Sequence, residues 1–115
     1  LAPGSRSSSG HSLLISREER VVVLNSMDFK LTEAAIETLA VLAEARMDDD
    51  ILTGAEIEAT IQGKDAADCD EAAGATRIKR LRDSLGNQMV SELLVRNIAR
   101  KGYVLAIDRD VIRML

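Results

Sequence analysis

The chain has 115 residues, 46% of them hydrophobic and 30% charged, with a net charge of −4. That suits one globular domain with a core of its own and is too short for two full-sized ones. The single cysteine, Cys69, excludes an internal disulfide and fits a reducing, cytoplasmic compartment, and no apolar run approaches the roughly 18 residues of a membrane span.

Leu1–Ser12 (LAPGSRSSSGHS) is rich in Ser and Gly and holds the only Pro and the only His. It is predicted to be a flexible linker or tag remnant. Because the first residue is not Met, the sequence is expected to be a piece of a longer one. The stretches LLIS, RVVVLNS and FKLT then predict a small antiparallel sheet over residues 13–31, with the β-branched run Val21–Val23 favouring extended backbone.

A first helix follows. Thr32 is its predicted cap and Glu33 suits the positive end of its dipole, while Ile36, Leu39, Ala40 and Ala43 share one face. It stops at the polar RMDDD. Asp48–Asp50 there lacks the alternating ligands and central Gly of a calcium loop and is read as a solvated turn. In ILTGAEIEATIQG, Thr53 and Glu56 have capping-box spacing and open a second helix that Gly63 ends. KDAADCDEAAG is predicted to be a loop or the frayed entry to a third helix.

That third helix, ATRIKRLRDSLG (75–86), carries Arg77, Lys79, Arg80 and Arg82 within six residues. At 100° per residue, Ile78, Leu81 and Leu85 form its buried stripe. Thr76, Arg80 and Asp83 lie opposite, with Lys79 and Arg77 on the two shoulders. Arg82 lies near the stripe and is expected to pair with a carboxylate. Gly86 ends the helix. Last come two strands, Leu93–Ile98 and Tyr103–Ile107, joined by ARKG with Gly102 at the reversal. Residues 108–115 are expected to be a tail.

Charge is polarised along the chain. Residues 1–71 carry 6 Lys/Arg against 15 Asp/Glu, a net −9, whereas residues 72–103 carry 7 against 2, a net +5. An acidic protein can therefore present one basic face. With His11 in the linker, one Cys and no phosphate-cradling Gly pattern, no catalytic residue, metal site or cofactor is expected.

The segments LTEAAIETLAVLAE, ILTGAEIEATIQG, TRIKRLRDSLG and LLVRNIARKGYVL, in this order, resemble the effector domain of OmpR/PhoB-type winged-helix response regulators. The matching features are Leu31-Thr32, Ile78–Arg82 with Leu85-Gly86, Val95-Arg96-Asn97-Ile98, and Gly102-Tyr103. The resemblance spans residues 13–107. It implies an α+β winged helix-turn-helix with three helices, an N-terminal antiparallel sheet and a C-terminal hairpin wing. The implied activity is sequence-specific binding of double-stranded DNA by a transcriptional regulator, as a homodimer or as tandem copies.

The resemblance assigns Arg77, Lys79 and Arg80 to the helix that meets DNA, and Arg96 and Asn97 to the wing. Thr76, Arg100 and Lys101 complete the expected DNA-binding set. The loop 63–71 corresponds to a segment that can contact RNA polymerase. Asp83, Ser84 and Ala99 depart from the basic positions of that family. A rival reading is a winged-helix protein-interaction module that uses the acidic surface and binds no DNA. The DNA reading requires the cationic side of residues 75–85 to stand clear of carboxylates and to lie beside residues 96–101 as one continuous surface.

Overall fold

The computed structural model describes residues 12–86 and 88–115, and in it the chain is α+β. Apart from Ser12, the expected linker over residues 1–12 lies outside the described residues. Strands β1 (Leu13–Ser16), β2 (Val21–Leu24) and β3 (Met27–Lys30) form an antiparallel meander with Ile15 opposite Val22 and Val22 opposite Phe29. Asn25 and Ser26 both have positive φ (51° and 75°), the geometry that lets a two-residue turn follow the strand twist. Alternation buries Leu13, Ile15, Val22 and Leu24 on one face and leaves Leu14, Val21 and Val23 half-buried on the other.

Residues 108–115 are not a tail. A 3₁₀ turn at Arg109–Val111 leads into β6 (Ile112–Met114), which pairs in parallel with β1 and makes the sheet order β3-β2-β1-β6. Ile112, opposite Leu13, is buried with the rest of the inner face.

Helix α1 (Glu33–Met47) is capped as expected, Thr32 Oγ1 accepting from the Ala35 amide at 3.2 Å. Its burial is wider than one face: Ala35, Ile36, Thr38–Ala43 and Ala45 are all buried, because α2, α3 and β5 pack around it. The buried Thr38 hydroxyl is satisfied by donating to the Ala34 carbonyl at 2.9 Å.

Helix α2 (Gly54–Gln62) begins with the predicted capping box. Thr53 Oγ1 accepts from the Glu56 amide at 3.1 Å, and Glu56 Oε1 accepts from the Thr53 amide at 2.8 Å. The two remaining amides of the first turn are taken by a residue from the next helix. Glu71 accepts from the Gly54 and Ala55 amides at 2.9 and 3.0 Å. No amide at this helix start is left to water. Replacing Glu71 with Ala is expected to lower the unfolding free energy by about 1–2 kcal/mol, read from a urea melt. An unchanged midpoint would show that water serves those amides equally well.

Helix α3 (Glu71–Leu85) starts four residues before the stretch read from sequence, after a 3₁₀ turn at Ala66–Asp68 that Asp65 caps. Ile78, Leu81 and Leu85 are buried, and Gly86 closes the helix in the left-handed conformation at φ 68°. Gly74 lies against Gly54 so closely that the two helix backbones touch.

A further helix, α4 (Gln88–Leu94), replaces the first part of the strand expected from Leu93, so the described residues hold four α-helices where three were expected. Val90, Ser91 and Leu94 are buried among its described positions. Only β4 (Val95–Ile98) and β5 (Gly102–Leu105) form the hairpin. Leu52, just before α2, exchanges backbone hydrogen bonds with Tyr103 at 3.2 and 2.7 Å and ties β5 to the start of α2. This explains Gly102: its φ is 132°, and a Cβ there would stand 2.2 Å from the Leu52 carbonyl oxygen. Among the described residues no helix is long and apolar enough to cross a membrane.

Candidate nucleic-acid interface

Of the expected DNA-contacting residues, Thr76, Arg77, Lys79 and Arg80 lie on α3 and Arg96, Asn97, Arg100 and Lys101 on the hairpin, and the structure sorts them by what each one touches. Arg80 is exposed and makes no ion pair or side-chain hydrogen bond among the described residues. Thr76, one turn earlier, is also exposed, but its hydroxyl proton goes to the Ala72 carbonyl at 3.0 Å. What Thr76 offers outward is therefore a methyl group and an acceptor oxygen, not a donor. Lys79 lies 3.6 Å from Asp83, with the two side chains 77% and 69% exposed. An i,i+4 pair this open is well screened and leaves the ammonium available.

Arg77 departs from expectation. Its Nε donates to Glu58 Oε1 across the α2–α3 seam, and the two side chains are only 18% and 16% exposed. The Arg77 hydrogen bond holds the Glu58 carboxyl below its ordinary value of 4.5, outweighing the opposing effect of burial. Gln62 Nε2 also donates to Glu58, at 3.1 Å. The requirement that the basic side of this helix stand clear of carboxylates is thus met by Arg80, weakly compromised at Lys79 and not met at Arg77.

Arg82 also departs from expectation, since its partner is a carbonyl and not a carboxylate. Nη2 donates to Val95 O at 3.2 Å, joining the last turn of α3 to the start of β4. Its Nε is buried without a partner among the described residues.

On the hairpin, Arg96 pairs across the ladder with Val104 and Asn97 with Tyr103. Successive strand residues face opposite ways, so Arg96 and Asn97 serve opposite faces of the hairpin. Arg96 lines an open cleft of about 300 Å³ whose other wall includes Arg46, Asp49 and Asp50. The Asp48–Asp50 turn is tied down as well as solvated, with Asp49 accepting from Arg109 at 2.8 Å and Arg46 at 3.4 Å. Arg100 and Lys101 are exposed at the hairpin tip, where Arg100 adopts φ 66° and the Lys101 amide donates to Ile98 O at 3.0 Å.

The 63–71 segment is exposed over most of its length, although Glu71 belongs to α3 and is engaged at the start of α2. Glu58 and Gly74 are the working residues of this region that sequence reading passed over. Among the described residues no group of three or more His, Cys, Asp or Glu side chains is placed to hold a metal ion. Comparison with protein-family models gives no match, and comparison with curated proteins gives no significant relative.

Proposed function

We propose that the chain is a winged-helix, sequence-specific DNA-binding domain of a transcriptional regulator of the OmpR/PhoB type. α3 enters the major groove and the β4–β5 hairpin acts as the wing. The observation that carries this reading is Arg80. It is an exposed, unpaired guanidinium on the outer face of a helix whose opposite face is locked into the core. Lys79 and Thr76 are exposed on the same helix and Asn97, Arg100 and Lys101 on the hairpin, while Arg96 lines the cleft at the Asp48–Asp50 turn. Arg77 takes a supporting place at the α2–α3 seam. The domain works as a homodimer or in tandem on repeated half-sites, and the exposed part of the 63–71 loop is the surface offered to RNA polymerase.

Fluorescence anisotropy with a labelled duplex, over a series of salt concentrations, tests the reading. Three phosphates neutralised by Lys79, Arg100 and Lys101, with Arg80 left to a base, predict a slope of about −2.7 in log K against log salt, a loss of roughly fortyfold between about 50 and 200 mM. A duplex that fails to bind even at the low end would favour the second reading, a winged-helix interaction module without DNA binding. The neutralisation of Arg77 by Glu58 is the specific observation on that side.

A further inference from the structure

Arg77 belongs to the proposed DNA-reading helix, yet its guanidinium is held inside the fold. Its side chain is 18% exposed against 77% for Lys79, two residues along the same helix. The carboxylate that holds it is itself aimed: Glu58 sits on α2 and is also engaged by Gln62, one turn further on. The pair is not the only tie between the two helices. The Gly54–Gly74 backbone contact and the two amide bonds to Glu71 already clamp α2 to α3. Beside the pair, between the start of α1 and α3, lies an open pocket of about 580 Å³ whose lining includes Thr32, Thr38, Glu58, Thr76, Arg77 and Arg80. An unpaired guanidinium has room there to swing toward the exposed side of α3.

We infer that Glu58 is a positioning residue that withholds Arg77 from DNA phosphates and thereby limits the affinity of the domain for duplex of any sequence. This rests on the DNA-binding reading above. The chemistry follows from counterion release. Each further cation that neutralises a phosphate strengthens binding to every sequence alike and adds nothing to discrimination between sequences. A carboxylate that removes one cation from that set lowers the sequence-independent background and leaves base reading to Arg80. Glu58 and Arg77 are 19 residues apart and on different helices, so this restraint exists only in the folded chain.

The test uses the intact chain and a labelled duplex pool of mixed sequence, with the wild type, Glu58→Gln, Arg77→Gln and the double variant measured across a salt series. Glu58→Gln is expected to steepen the salt slope by about 0.9, an extra loss of roughly threefold between about 50 and 200 mM, with tighter binding at the low end. Arg77→Gln alone is expected to keep the wild-type slope, and the double variant to return to it. A purely structural ion pair would alter the melting temperature and leave the slope where it was.

The inference is overturned by a Glu58→Gln slope equal to wild type, or by a gain that persists in the double variant, which would reflect only the lost negative charge. Should Glu58→Gln not fold, Arg77→Gln decides: a slope shallower by about 0.9 would show that Arg77 contacts phosphate in the wild type. A wild-type chain that binds no duplex removes the DNA-binding reading itself, a result distinct from wild-type binding with unchanged slopes.

Discussion

Gly74→Ala is expected to destabilise the protein by about 3 kcal/mol or more, a large share of the roughly 5–15 kcal/mol that holds a domain of this size folded. In an unconstrained helix the same change would add up to about 1 kcal/mol of stability, because Gly is the poorer helix former. The sign reverses here because a Cβ on Gly74 would stand 1.9 Å from the Gly54 carbonyl oxygen and 2.3 Å from its carbonyl and α carbons. All three are backbone atoms, so no rotamer change relieves the clash. α2 and α3 must move apart, and the Glu71 bonds to the Gly54 and Ala55 amides stretch with them. The cap and the close contact therefore fail together. A urea melt reads the effect, with Ala75→Gly, elsewhere on the same helix, as the comparison that should lose only the propensity difference. A Gly74→Ala protein as stable as wild type would mean that the α2–α3 contact is not under steric constraint.

The parts of this fold that were legible in the sequence are those fixed by neighbours a few residues apart. The Thr53–Glu56 box, the Thr32 cap, the Ile78/Leu81/Leu85 stripe and the Gly86 stop each depend on one turn of helix, and each is present. The hairpin and the first three strands were visible for the same reason, since their turns join adjacent segments. α4 was missed because Leu93, Leu94 and Val95 make a short apolar run that does not distinguish strand from helix, and the boundary between the two falls inside it. β6 was missed because three residues carry no periodicity. Its place is set by a parallel register with β1, which stands at the other end of the chain.

The candidate site divides along the same line. Helical angle alone put Thr76 and Arg80 outward and Lys79 on a shoulder, and all three are exposed. The same angle put Arg77 on the other shoulder but could not say what that shoulder faces. The α2–α3 packing decides that it faces Glu58. Arg82 was placed correctly near the buried side, yet its partner is a carbonyl at the start of β4, a contact that composition does not encode. On the hairpin, Arg96 and Asn97 were assigned together to the wing, whereas strand alternation sends them to opposite faces, and which of them faces the Asp48–Asp50 turn depends on how the hairpin is seated by the Leu52–Tyr103 bonds.

Arg80→Ala is the substitution expected to cost the proposed activity most, about 10–100-fold in affinity for a duplex enriched by the chain from a random pool. The reason is that Arg80 combines reach with freedom. Its guanidinium breaks no internal bond on meeting DNA, whereas Arg77 must leave Glu58 and Arg82 must leave Val95. A fork of two parallel donors to guanine O6 and N7 contributes roughly 1–3 kcal/mol of discrimination, the source of that range. Being exposed and unpartnered, Arg80 holds nothing in the fold, so the melting curve should move by no more than about 0.5 kcal/mol. Arg80→Lys then separates the two ways a cation can act. Lysine keeps the charge for a phosphate but lacks the planar fork, so a base-reading Arg80 predicts that Lys does not restore sequence preference. Full recovery with Lys would make Arg80 a phosphate contact only, and an undiminished Arg80→Ala would remove the observation on which the DNA-binding proposal rests.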